Sequence, residues 1–318
     1  MELSRLRGQG LKFFWAVDAP RNARVLDQLG IDANVLVSAG HRWGGLRFSK
    51  SVPRPRRTRL LFIDSGAQQF SRFRDYPYTT RAYFLACLRW RADLAATLDY
   101  PLDMIFRFRV RDGDAEILGH RPGFNHTPSY WIRRTVENAV DMLALWEAWG
   151  RPMKPLPVIA IQGLAVDHFL ECLDQLLEHV GPKWPYWGIG SLCMSPSSLH
   201  IHNVVRAVRR RLPNSCIHVW GPDVRAIWSI ALLIDSWDSS MWVPLRENRS
   251  GLTCCVPIRY RIWDPKRRRF IEVRGSYEPG RRFEYALMCA REWLRFLRDL
   301  ETYVKVQRRL IDHDALPS

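Results

Sequence analysis

The sequence predicts a (β/α)8 barrel of the TIM type, α/β in class, with a C-terminal helical and hairpin extension. Eight short apolar runs, at 13–17, 34–38, 60–64, 95–99, 158–162, 186–190, 217–221 and 231–235, each have the length of a buried strand, and many end in a polar residue or glycine. Longer amphipathic segments lie between many of them, and strands that alternate with helices pair in parallel through right-handed crossovers. At 318 residues the chain has a length that one such barrel commonly takes.

Along the chain, 53–59 is a basic run that adds to a positive surface, and 80–94 has apolar residues at helical spacing. The stretch 107–128, rich in Gly, Asp, Arg and His, reads as a long loop over the barrel mouth. Helices are expected at 130–149, 166–179, 199–211 and 224–229. Beyond Pro244 the sequence turns irregular, then 257–273 suits a hairpin around Asp264-Pro265. A final helix over 282–310 places Tyr285, Met288, Cys289, Trp293, Phe296 and Leu297 on one stripe, and leaves Arg291, Arg295 and Arg298 exposed. Residues 1–245 thus form the barrel, and 246–318 an extension packed on it rather than an independent domain.

Composition narrows the function classes. Hydrophobic residues make up 47% and charged residues 25%, ordinary globular usage that excludes wholesale disorder. A formal charge of +16, carried almost wholly by arginine, points to a nucleic-acid partner, because guanidinium groups bind phosphate oxygens and stack on bases. The seven cysteines are scattered, with Cys254 and Cys255 adjacent and no C-x-x-C pair. Reduced thiols in a cytoplasmic protein are the natural reading. The N-terminus lacks the apolar stretch of a signal peptide, and no apolar run reaches the roughly 18 residues that span a membrane.

Polar residues at strand C-terminal ends point to the active site in such barrels. By that rule Asp64, Ser65 and Gly66, then Asp99, Gln162, Gly190 and Ser191, Gly221, and the pair Asp235 and Asp238 converge on one mouth. An aspartate after a strand also caps helices, but aspartates at three ends and an amide at a fourth favour a site. Asp103 and Asp112 are expected on the solvated surface. His200 and His202 have no acidic or cysteine partner at ligand spacing, so a surface or cap role is expected, and His120, His126 and His218 are given no chemical part. Trp187 and Trp220 suit core packing. Trp237 and Trp242 are the stacking candidates, each such contact contributing about 1–3 kcal/mol per base.

The same residues carry a resemblance. Asp64-Ser65-Gly66-Ala67-Gln68 resembles the D-S-G-G-[FY]-Q signature of tRNA-guanine transglycosylases. Ile161-Gln162-Gly163 is similar to their Q-G element, Gly188-Ile189-Gly190-Ser191-Leu192 to their G-G-L segment, and Asp235-Ser236-Trp237-Asp238 to their D-x-F-D segment. Arg133-Arg134-Thr135-Val136-Glu137-Asn138, Gly188 to Cys193, and Asp238-Ser239-Ser240-Met241-Trp242 resemble the DpdA-like branch, which places 7-deazaguanine bases in DNA.

The resemblance implies exchange of guanine for a 7-deazaguanine of the preQ0 type. Asp238 would attack the anomeric carbon, with Asp235 as the competing candidate. Asp64 would manage protons, and Asp99 would read the N1–H and amine edge of the base. Gln162 and the backbone of Gly190, Ser191 and Leu192 would hold its carbonyl side, with Ser65 and Gly66 beside them. No cofactor is expected. The family's zinc motif has only Cys254 and Cys255 to match it, so no metal is expected either. Partners are then DNA foremost or tRNA, a free 7-deazaguanine base, and a protein that opens the duplex if one is needed. Base hydrolysis, and a non-catalytic nucleic-acid-binding subunit, are the other readings.

Overall fold

A computed structural model describes residues 10–70, 75–242, 260–264, 269–273 and 282–314. The chain runs β1 (Lys12–Ala16), α1 (Pro20–Leu29), β2 (Ala33–Ser38), β3 (Thr58–Asp64), α2 (Ala67–Phe70), α3 (Thr80–Arg89), β4 (Leu94–Ala96) and α4 (Leu102–Ile105). The pair β5 (Phe106–Arg111) and β6 (Asp114–His120) follows, then α5 (Pro128–Ala148), β7 (Leu156–Ile161), α6 (Val166–Val180), β8 (Tyr186–Ile189) and α7 (Ser198–Arg211). The remainder is β9 (Cys216–Val219), α8 (Val224–Ile230), β10 (Ser236–Ser239), β11 (Tyr260–Asp264), β12 (Arg269–Val273) and α9 (Arg282–Asp314). Strands β1, β2, β3, β4, β7, β8, β9 and β10 close a parallel barrel, as the alternating pattern predicted.

Strand alternation sorts the barrel's side chains. Successive residues on a strand face opposite sides, so Phe14, Leu36, Phe62, Leu94, Ala96, Val158, Tyr186 and Cys216 fill the barrel interior. Their neighbours, such as Phe13, Trp15, Val35, Ile63, Ile159 and Val219, pack outward under the helices in a separate and larger core. α9 lies against α1, with Arg291, Arg295 and Arg298 exposed as expected. The hairpin expected over 257–273 is present as β11 and β12, with 265–268 outside the described residues.

Four points differ from the sequence reading. The eighth strand is β10, not 231–235: Leu233 N–H bonds back to Ile230 O, so the apolar run closes α8 and turns before the strand begins. A short apolar run does not by its periodicity tell strand from helix end. The stretch 107–128 is no open loop, because Arg107 to Arg111 alternates exposed arginines with the half-buried Phe108 and Val110, and pairs with β6. α1 was not expected; it opens on Pro20 and stops at Gly30, whose φ of +66° ends the helix.

The fourth concerns the proposed stacking residues. Trp237 alternates with Ser236 and Asp238, so it faces outward, fully buried, 4.7 Å from the Phe13 ring and 5.9 Å from that of Trp293. Trp242 is equally buried, edge-on to Trp15 at 5.1 Å. Neither face is open to a base. Trp237→Ala should therefore cost about 3–5 kcal/mol of stability in urea unfolding. Trp237→Phe should cost far less and leave nucleic-acid affinity unchanged.

Candidate active site at the barrel mouth

The C-terminal ends of the strands bring Asp64, Asp99, Gln162, Ser191 and Asp238 together, with Asp18 added from the end of β1. Asp99 is the hub. Its Oδ1 accepts from Ser65 Oγ at 2.5 Å and its Oδ2 from Gln162 Nε2. Gln162 Oε1 in turn accepts from Ser191 Oγ, which also accepts the Leu102 N–H at 2.8 Å. Tyr76 ties the Asp99 backbone on both sides, donating to its carbonyl at 2.7 Å and accepting its N–H at 3.2 Å. The cluster is buried and locked, and its donor order is set throughout.

Backbone geometry makes that cluster possible. Ser191 sits at φ +52°, a left-handed setting that costs a residue with a Cβ roughly 1 kcal/mol or more. The two hydrogen bonds of its hydroxyl hold it there. A Cβ on Gly190 would lie 2.1 Å from Gln162 Nε2, so the bare glycine makes room for the amide that grips Asp99. Gly66, at φ +83°, packs so tightly that its Cβ would stand 2.2 Å from the Gly40 nitrogen. Ala67, in the place of the family's second glycine, starts α2 and is not among the residues with positive φ. Leu192, next to Ser191, is fully buried.

Asp238 is oriented differently. Its Oδ1 takes both the Gly221 N–H at 3.1 Å and His218 Nε2 at 3.2 Å, which leaves Oδ2 without a hydrogen bond among the described residues. With Asp238 as the acceptor, His218 Nε2 donates to it, and a neutral ring then accepts at Nδ1 from Ser236 Oγ, 2.9 Å away. Ser236 in turn accepts from the Tyr186 hydroxyl at 2.6 Å. The relay holds the imidazole from both sides and fixes Asp238 Oδ1 against it.

Charge crowding decides protonation. Burial, then the neighbouring charges of Asp99 and Asp238, push Asp64 up to about 8, so it keeps its proton at neutral pH. The Gly66 N–H at 3.2 Å only partly opposes this. Asp99 is raised by burial but held to about 6 by the Ser65 and Gln162 hydrogen bonds. Burial also raises Asp18, while His41 at 3.8 Å pulls it back. The mouth thus holds a protonated carboxyl beside carboxylates kept as acceptors.

Several placements differ from those expected. Asp235 sits at the other end of β10, bound to Arg209 Nη2 at 2.6 Å and the Ile217 N–H at 2.9 Å, which removes it as a competing nucleophile. Asp103 is not on the surface: it is fully buried, accepting from the Met194 N–H at 3.2 Å and Cys193 Sγ at 3.5 Å. Asp112 is 92% exposed, as expected. His200 is buried, bridging Ser195 Oγ at 2.9 Å and Leu164 O at 2.8 Å in a structural role.

Asp18 escaped the sequence reading and His218 was expected to have no chemical part, although strand alternation marks both. Asp18 continues the inward set of Phe14 and Ala16, and His218 that of Cys216. Among the described residues no group of three His, Cys, Asp or Glu is placed to hold a metal ion, and Cys254 and Cys255 lie outside them. Among the same residues no helix is long and apolar enough to cross a membrane.

No protein-family model matches the chain. Nor does any curated protein sequence. Among solved structures it is similar to the carboxyl transferase domain of Rhizobium etli pyruvate carboxylase with pyruvate, at 12% identity and a TM-score of 0.35. That match covers 95% of this chain and 50% of the other, so the chain spans half of that protein's length. Likeness at this level carries no argument about chemistry.

The Asp64 proton has a measurable consequence. An aspartate in the unfolded chain ionises near pH 4, whereas Asp64 in the folded protein ionises at about 8. Between these values the folded state binds the extra proton, so Asp64 makes stability fall as pH rises through that window. Asp64→Asn removes the slope. Its advantage in urea midpoint over the unsubstituted protein should grow from pH 5 to pH 8, then level off.

Proposed function

We propose that this chain is a base-exchanging transglycosylase that replaces guanine in a nucleic acid, DNA foremost, with a 7-deazaguanine base through a covalent aspartyl–sugar intermediate. The observation that carries the reading is the division of labour at the mouth. A protonated Asp64 stands near Asp238, whose Oδ2 has no hydrogen bond among the described residues, and the Asp99–Gln162–Ser191 cluster lines the same mouth. Carboxyl groups whose surroundings separate their protonation states are what acid and nucleophile roles require. The motif resemblance at Asp64, Gln162, Gly190 and Asp238 supports the same assignment.

The chemistry follows from the groups present. Asp238 Oδ2 forms a bond to C1′ as the bond from C1′ to the guanine nitrogen breaks, and the electron pair leaves with the base. Asp64 delivers its proton to that base. A neutral incoming deazaguanine then returns a ring N–H proton to Asp64, and its nitrogen displaces Asp238 from C1′. Two displacements retain configuration at the sugar, and a carboxylate suits the cationic character of the reacting carbon.

Recognition fits the same inventory. Asp99 accepts from Ser65 Oγ on one oxygen and from Gln162 Nε2 on the other, and as a carboxylate it is the acceptor that the N1–H and amine of a guanine edge require. Gln162 spends one amide hydrogen on Asp99 and has another for a base carbonyl. Adenine offers no such donor pair. The net charge of +16 supports a polyanionic partner.

Labelled guanine incubated with the protein and either duplex DNA or tRNA tests this. Label entering DNA is the expected result, and label entering tRNA would reassign the substrate. Base release without incorporation would make the enzyme a hydrolase, and binding without turnover would make it a non-catalytic subunit. Asp238→Asn should lower exchange roughly a thousandfold or more while nucleic-acid affinity holds. Exchange in the unsubstituted protein should decline as pH rises through about 8, where Asp64 loses its proton.

A further inference from the structure

Among the described residues the most exposed large hydrophobic side chain is Leu46, 92% accessible at the tip of a small hairpin between β2 and β3. The hairpin rises from the carboxylate-bearing end of the barrel. β2 ends at Ser38, in register with Asp64, and the turn Ala39–Arg42 that follows touches the site. Its His41 lies 3.8 Å from Asp18, and Arg42 donates to the Asp18 carbonyl at 2.7 Å. Leu46 therefore projects from the rim of the mouth.

The hairpin is stiff. Trp43 bridges Phe48 as an antiparallel pair, and the Gly44 N–H bonds Arg47 O at 3.0 Å across a turn that Gly45 enters at φ +89°. Phe48 is buried, its ring 4.9 Å from Trp43, 4.7 Å from Tyr78 and 5.4 Å from Trp90. Trp90 Nε1 also donates to Ser49 O at 3.0 Å. A turn of this shape favours Gly, Asn, Asp or Ser, so leucine in full contact with water is a costly choice for the isolated chain. Arg47 and Lys50 beside it are exposed and pair with no carboxylate among the described residues.

We propose that the 44–47 tip is a wedge for duplex DNA, with Leu46 entering the base stack where the target nucleotide turns out into the barrel mouth. Arg47 and Lys50 hold the flanking phosphates. A carboxylate at the bottom of a barrel mouth does not reach the anomeric carbon of a stacked nucleotide, so the base must leave the stack, and an apolar side chain fills the gap. The proposal rests on the transglycosylase reading for its target but not for the insertion itself. It also makes duplex opening a property of this chain rather than of a partner protein.

The test uses a duplex with 2-aminopurine beside the target guanine, whose fluorescence rises when its neighbour is unstacked. The unsubstituted protein should raise the signal on binding, Leu46→Ala should not, and Leu46→Met should restore it. In the exchange assay Leu46→Ala should lose about tenfold or more on duplex DNA and change less than about twofold on the same strand alone. Leu46 touches no core, so the variant's unfolding midpoint should match that of the parent.

No signal from the unsubstituted protein, an undiminished signal from Leu46→Ala, or equal losses on duplex and single strand would each overturn the wedge. So would a Leu46-dependent dimer with an unchanged signal, which would make the tip a contact between copies. A Leu46-dependent signal without any base exchange would keep the wedge and sink the transglycosylase. Exchange that ignores Leu46 would do the reverse.

Discussion

Carboxylates crowded into a half-buried mouth cannot all be charged, and that constraint organises the site. Asp18, Asp64, Asp99 and Asp238 come from four different strand ends; the other three charges raise Asp64, and that of Asp238 raises Asp18. The protein resolves the conflict by unequal supply of donors. Among the described residues Asp238 receives a backbone N–H and a histidine, Asp99 a serine and an amide, and Asp64 the Gly66 N–H alone. The least-supplied carboxyl keeps the proton. Burial and the neighbouring charges thus set Asp64 apart from Asp99, about 8 against about 6.

The supporting shell shows why this arrangement is rigid. Gln162 faces two ways, donating to Asp99 and accepting from Ser191, so its amide orientation is fixed from both ends. Ser191 in turn holds the start of α4 through the Leu102 N–H, and α4 carries the buried Asp103 that receives Met194 N–H and Cys193. The loops after β4, β7 and β8 are thus one hydrogen-bonded body. A glycine at 190 and a left-handed serine at 191 are the concessions that let it close.

The barrel was legible because strand length, apolar content and alternation with helices are local signals. Seven of the eight barrel strands overlap the runs read from sequence, and the carboxylates at 64, 99 and 238 meet as strand ends should. The eighth strand was misplaced because Ala231 to Ile234 is as apolar as a strand yet closes a helix. That error had a cost: with β10 set at 236–239, alternation alone sends Asp238 inward and Trp237 outward, and puts Asp235 at the far end. Asp18 was within reach of the same rule and was passed over because it follows the strand by two residues. Asp103 was not legible, since nothing in its local sequence shows that a distant loop would bury it.

Arginine content also means more than one thing here. Arg209 spends its guanidinium on the Leu212, Ser215 and Leu233 carbonyls and on Asp235, Arg121 binds the Phe106 and Asp103 carbonyls, and Arg42 binds that of Asp18. These are staples of the fold and give a polyanion little to hold. The exposed cations of the Leu46 hairpin, Arg47 and Lys50, are the ones that the proposed reading assigns to an extended partner. There the mechanics and the chemistry converge. Gly40, at the root of that hairpin, packs directly on Gly66, two residues from Asp64, while Tyr78 packs on Phe48 and bonds the Ser65 carbonyl at 2.5 Å. The hairpin that would part the duplex in the proposed reading thus packs directly on the loop that carries Asp64.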